Sequence, residues 1–92
     1  MPTEILATGT GAANSADVVI AAGSSLTVCL KDAAGPDVGK YASVDILLKA
    51  DTGEYFKVDN INTDKPALLI QAPGTYRFSR LAGSTSCGVF SG

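Results

Sequence analysis

Ala67-Leu68-Leu69-Ile70-Gln71-Ala72-Pro73-Gly74-Thr75-Tyr76-Arg77-Phe78-Ser79-Arg80 is the stretch whose reading decides the fold. Its first half is a short apolar run of strand length. Pro73-Gly74 then supplies one fixed φ and one position open to positive φ, the chemistry of a corner. Beyond the corner, Tyr76 and Phe78 alternate with Arg77 and Ser79, the period-2 signature of a strand with one buried face. A strand, a corner and a second strand within fourteen residues leave no room for a helix.

The same test applied outward finds strands near Ile5–Thr8, Asp17–Ala21, Ser25–Lys31, Lys40–Ala50, Tyr55–Val58, Ala67–Gln71, Thr75–Arg80 and Cys87–Phe90, about eight short strands in all. The longest helix-like segment, Lys40 to Ala50, alternates: Val44, Ile46 and Leu48 share one face, and Asp45, Leu47 and Lys49 the other. Asp51-Thr52-Gly53-Glu54 joins two alternating strands closely enough to form a hairpin. Gly35-Pro36-Asp37-Val38-Gly39, the longest flexible stretch, reads as a connection between two sheets. Parallel crossovers need helices, so the expected fold is all-β, a single antiparallel β-sandwich domain over residues 1–92, jelly-roll or immunoglobulin-like. Alternation assigns Val18, Ile20, Leu26, Val28, Leu30, Val44, Ile46, Leu48, Phe56, Val58, Leu68, Ile70, Tyr76, Phe78 and Val89 to its interior.

At 92 residues, only about 63% of the unfolded chain's surface can be removed from water, a thin margin that small domains extend with disulfides, metals or partner subunits. Only 17% of residues are charged, well below the usual quarter or so, which implies a neutral surface suited to contact. The net charge is −2 and the seven Lys and Arg are scattered, so no basic stripe tracks a phosphate backbone and nucleic acid is not an expected partner. No segment is long and apolar enough to span a bilayer, and Met1-Pro2-Thr3-Glu4 does not open like a secretory signal. The expectation is a soluble product made in the cytoplasm, with no membrane partner.

The chain contains no His and no Trp. Without His, neither Ser-His-Asp nor Cys-His nor the usual zinc-hydrolase arrangement can be assembled, so no catalytic residue is assigned. Asp51, Glu54, Asp59 and Asp64 read as solvated loop acids. Asp59-Asn60-Ile61-Asn62-Thr63-Asp64 is rich in hard-cation donors, but Ile61 stands where a calcium loop needs an oxygen and Asp64 where it needs glycine. An Asx-rich turn is expected there, with no metal. Gly9-Thr10-Gly11-Ala12-Ala13 lacks both the lysine and the helix of a phosphate cradle, and no cofactor is expected. Cys29 and Cys87, 58 residues apart, have the spacing of an inter-sheet bridge, but Cys29 alternates with Thr27 and Lys31, away from the Leu26, Val28 and Leu30 face, and two reduced thiols are expected. Arg77 and Arg80, beside Tyr76 and Phe78, project opposite ways or flank the strand end, where each suits a partner's carboxylate.

Several of these segments together, Ile5-Leu6-Ala7-Thr8-Gly9, Asp17-Val18-Val19-Ile20-Ala21-Ala22-Gly23, Gly53-Glu54-Tyr55, Ala72-Pro73-Gly74-Thr75-Tyr76-Arg77-Phe78 and Cys87-Gly88-Val89-Phe90, resemble small bacteriophage virion structural proteins of the capsid decoration or cement type. The resemblance implies a non-enzymatic all-β module, located in the virion, whose partner is the major capsid protein and which forms a homo-oligomer in the assembly. Aromatic and Arg side chains dominate interface energies, so the residues assigned to the partner interface are Tyr41, Tyr55, Arg77, Arg80 and Phe90. The alternative is a carbohydrate-binding β-sandwich module associated with a tail or a surface, although sugars usually stack on aromatic faces and the three Tyr are far apart in sequence.

Overall fold

The protein is described from a computed structural model, in which residues 3–32, 41–81 and 86–91 are defined. Among them are nine strands and no helix: β1 (Thr3–Gly9), β2 (Ala13–Asn14), β3 (Val18–Ile20), β4 (Leu26–Lys31), β5 (Ser43–Lys49), β6 (Tyr55–Asn62), β7 (Ala67–Ile70), β8 (Gly74–Arg80) and β9 (Cys87–Ser91). They form two antiparallel sheets, one ordered β1-β9-β4-β7 and the other β2-β8-β5-β6, with β3 continuing the β2 edge along β8. The expected all-β sandwich is therefore the observed fold. The expected sheet connection Gly35–Gly39 lies outside the described residues.

The corner at Pro73-Gly74 does what its chemistry suggests: β7 belongs to one sheet and β8 to the other, so the chain changes layer there. Tyr76 braces the change by donating its hydroxyl to the Ala72 carbonyl at 2.9 Å, a bond that ties the start of β8 to the corner before it. By contrast, Asp51-Thr52-Gly53-Glu54 keeps the chain within one sheet. It closes the β5–β6 hairpin through Ala50 N–H to Glu54 O at 2.7 Å and Gly53 N–H to Ala50 O at 3.0 Å.

The core lies between the layers and contains Ile20, Val28, Leu30, Val44, Ile46, Ile70, Tyr76, Phe78 and Val89 as expected, with Val18, Leu26, Leu48 and Leu68 packed at its margin. Two expected core residues are exposed instead, Phe56 at 56% and Val58 at 51%. The reason is a β-bulge. Ile46 pairs with Asp59 and Leu47 with Lys57, so Val58 is an extra residue with no partner across the ladder, and the alternation of β6 changes frame at that point. Beyond the bulge Ile61 becomes fully buried opposite Val44. Phe56, opposite Leu48, is on the inner side but on the outermost strand of its sheet, where among the described residues no further strand covers it. The register also carries β6 to Asn62, so the run read as an Asx-rich turn is strand through Asn62 and turn only after it.

Two further features shape the edges. Ser15 fills the gap between β2 and β3: its N–H donates to the Phe78 carbonyl at 2.8 Å and its Oγ accepts the Phe78 N–H at 2.9 Å, so β8 stays satisfied where its neighbouring strand is interrupted. On the other sheet, β1 is shifted twice against β9, between Glu4 and Leu6 and between Leu6 and Gly9. Gly88 lies against that irregularity, where an added Cβ would meet the Leu6 carbonyl oxygen at 2.5 Å and the Thr8 nitrogen at 2.8 Å. Only glycine lets the two backbones approach this closely.

Candidate functional site

Alternation along β8 separates the two arginines. Tyr76, Phe78 and Arg80 face the core, while Thr75, Arg77 and Ser79 face out. Arg80 is only 7% exposed, which corrects its expected place among the outward interface groups. Its Nε donates to the Gly11 carbonyl at 2.7 Å, and its Nη1 to the carbonyls of Ala7 at 2.7 Å and Cys87 at 2.8 Å. A guanidinium carries five donors in a rigid fork, and here the fork joins β8 of one sheet to β1 and β9 of the other. Arg80 is thus an internal staple between layers.

Arg77 lies on the outer face in a cluster with Tyr55, Asp17 and Lys49. Register explains the meeting: Tyr55 is opposite Lys49 at the turn end of the hairpin, and Arg77 is opposite Leu47 on the next strand. The Arg77 Cζ is 3.9 Å from the centre of the Tyr55 ring, a cation–π stack, and its Nη2 donates to the Tyr55 hydroxyl at 2.9 Å. That hydroxyl donates to Asp17 Oδ1 at 2.8 Å, while Arg77 Nη2 and Lys49 Nζ each lie 3.5 Å from the same carboxylate. The Tyr55 hydrogen bond, followed by Lys49 and Arg77, holds the Asp17 carboxyl below the ordinary aspartate range against a smaller opposing desolvation. A carboxylate stabilised in this way is a poor proton acceptor at neutral pH. The cluster works as a clamp pinning the segment before β3 onto the sheet, so two of the expected interface residues, Tyr55 and Arg77, engage each other first.

Phe90 is on the other outer face. It is half-buried, level with Cys29 on one side and Glu4 on the other. The outward positions of this sheet include Thr27, Cys29, Ala67, Leu69, Gly88 and Phe90, and the charged groups beside them are Glu4 and Lys31. Leu69 is 50% exposed. Thr3, Glu4, Lys31 and Phe90 line a shallow depression of about 320 Å³. Asp17, Asp45, Lys49, Lys57 and Arg77 instead decorate the opposite sheet, so the two outer faces differ sharply in charge. Cys87, buried on the inner side of β9, and Cys29, on the outer side of β4, face opposite sides of their sheet and are about 10 Å apart along the strands, a geometry that no disulfide spans.

Tyr41 stands apart from the other four expected residues. It is 83% exposed and has a φ of 66°, a left-handed conformation that costs a bulky residue roughly 1–3 kcal/mol. Beside it a depression of about 530 Å³ is lined by Tyr41, Ala42, Ser43, Asn60, Asn62, Thr63 and Asp64. The amides there are held in a chain. Asn60 Nδ2 donates to Ser43 Oγ at 2.9 Å and to Asp45 Oδ1 at 2.7 Å, and Asn62 Nδ2 donates to Asn60 Oδ1 at 2.8 Å. Asn62 Oδ1 accepts the N–H groups of Asp64 at 2.9 Å and Lys65 at 3.1 Å, which is the Asx turn that the sequence suggests. Asp59 is occupied by Lys65 Nζ at 2.7 Å and by the Asn60 N–H, and these two, Lys65 first, hold its carboxyl below the ordinary range. Among the described residues no group of three or more His, Cys, Asp or Glu side chains converges. Sequence reasoning missed Asn60 and Asn62 as a pair; the available signal was amides alternating with Ile61 in what proves to be a strand.

The sequence matches no family model and no curated protein. In fold, the chain is similar to the crystal structure of the SPBc2 prophage-derived protein YomS, with a TM-score of 0.70 at 8% sequence identity, covering 99% of this chain and 88% of that one.

Proposed function

We propose that the protein is a non-enzymatic structural component of a bacteriophage particle, a decoration or cement protein that attaches to the shell of major capsid protein through the outer face of the β1-β9-β4-β7 sheet. The observation that carries this reading is the segregation of charge between the two outer faces. One sheet carries an ion-paired, hydrogen-bonded network, while the other presents Phe90, Cys29, Thr27, Ala67 and Leu69 with Glu4 and Lys31 beside them. Contact patches are recognised by depletion of charge at their centre and by aromatic anchors, and Phe90 and Leu69 are the groups such a patch would bury. The likeness in fold to a prophage-derived protein is in keeping with a phage source.

On this reading the protein stabilises the shell because it binds the assembled form and not the separated subunits. Several copies then occupy symmetry-related positions in the virion. The test is to mix the purified protein with undecorated shells assembled from the major capsid protein encoded alongside it. Saturable co-sedimentation and a higher temperature of shell disruption are expected, both lost in Phe90→Asp and Leu69→Asp proteins that remain folded. Wild-type protein that stays in the supernatant, or variants that bind as well as wild type, would overturn the proposal.

A further inference from the structure

We propose that the depression beside Tyr41 is a binding site for a neutral saccharide, separate from the contact face assigned above. Three observations meet there. The first is the aromatic ring. Tyr41 is the most exposed of the large hydrophobic side chains among the described residues, and the backbone presents it in a left-handed conformation that a tyrosine adopts only when the surroundings impose it. A ring displayed in this way offers a flat apolar face of the kind on which the C–H surface of a pyranose stacks.

The second is a preorganised pair of amides. Asn60 spends both Nδ2 hydrogens on Ser43 and Asp45, which fixes the orientation of its Oδ1. That oxygen accepts one bond, from Asn62 Nδ2, and keeps a second lone pair; Asn62 Nδ2 keeps a second hydrogen. An acceptor and a donor are therefore held side by side by bonds that leave half of each group's capacity unspent. Adjacent hydroxyls of a sugar present the complementary donor and acceptor. The third is charge. Among the described residues of the lining the charged side chain is the carboxylate of Asp64, which repels phosphate, sulfate and acidic sugars, so an uncharged polyhydroxyl ligand fits. The volume, about 530 Å³, is within the range of small-ligand sites.

The experiment is an NMR titration of the ¹⁵N-labelled protein with maltose, cellobiose and N,N′-diacetylchitobiose, and with AMP as a comparison ligand. At least one disaccharide is expected to produce saturable shifts at Tyr41, Ser43, Asn60, Asn62 and Thr63, while Phe90 and Leu69 stay still. Tyr41→Gly relieves the backbone, so it should fold with an undiminished melting temperature and yet bind at least tenfold more weakly. Tyr41→Phe keeps the stacking face and should bind within about threefold of wild type. Asn60→Asp keeps the shape but gives up donors to Ser43 and Asp45, and should weaken binding at least tenfold. The proposal fails if none of the three sugars shifts these residues, if the Tyr41→Gly protein binds as well as wild type, or if AMP binds more tightly than every disaccharide. These outcomes are independent of shell attachment, which the Phe90 and Leu69 variants test.

Discussion

Replacing Arg80 by Met removes three hydrogen bonds from a place where water has no room to replace them. Arg80 is 7% exposed and its three acceptors, the carbonyls of Ala7, Gly11 and Cys87, lie 2.7–2.8 Å from its nitrogens. Its Nη2 is packed so closely on Gly9 that an added Cβ there would be 2.8 Å away. A hydrogen bond to a charged group contributes about 1.5–3 kcal/mol net, which would sum to roughly 4–9 kcal/mol for three. The three bonds are not independent, because one rigid fork makes them all, and the Met side chain restores part of the packing in the same space. The balance is a loss of about 3–5 kcal/mol, a large share of the roughly 5–14 kcal/mol that a domain of this length possesses. Urea unfolding followed by circular dichroism measures it, with the slope checked for two-state behaviour, and the midpoint temperature should fall by on the order of 20 °C. Arg80→Lys keeps the charge without the fork and should lose about 2 kcal/mol. A Met variant within about 1 kcal/mol of wild type would refute the view that this side chain joins the two layers.

Other perturbations test other parts of the fold. Phe78→Ala empties the fully buried centre and should cost about 3–5 kcal/mol in the same unfolding assay. Gly88→Ala drives a methyl into the backbone of β1 and should cost about 1–3 kcal/mol, with the largest hydrogen-exchange increases confined to β1 and β9. Tyr76→Phe releases the brace on the Ala72 carbonyl and should cost about 1 kcal/mol. Asp17 and Asp59 both have folded-state pKa values depressed below the unfolded one, so their contributions are present above about pH 4 and vanish as the pH falls through the depressed values. Unfolding free energies measured from pH 6 down to pH 2 should therefore fall less steeply below pH 4 in the Asp17→Asn/Asp59→Asn double variant than in wild type; an unchanged slope would assign acid sensitivity to other groups.

Legibility in the sequence varied with the kind of information each feature carries. Tyr76, Phe78 and their neighbours announce a half-buried strand because a pleated backbone sends successive side chains to opposite faces. The same rule places Arg80 beside Phe78 and Tyr76, yet residue type argued for an outward arginine; position prevailed because three carbonyls were available to solvate the charge. Val58 shows the reverse failure. Its alternation with Phe56 is regular in sequence, but one unpaired residue in the ladder undoes it, and nothing local marks where a bulge will fall.

Local chemistry determined the all-β class, the layer change at Pro73-Gly74, the hairpin at Asp51–Glu54 and most of the apolar interior, because periodicity, fixed φ and positive φ act over a few residues. Tertiary structure alone decided which outer face is charged, that Tyr55 and Arg77 close on Asp17, and that Tyr41 lines one depression with the paired amides of β6. Those outcomes depend on strand order and register between residues 17 to 60 positions apart. Such contacts form only when the sheets assemble, so no short window of sequence encodes them.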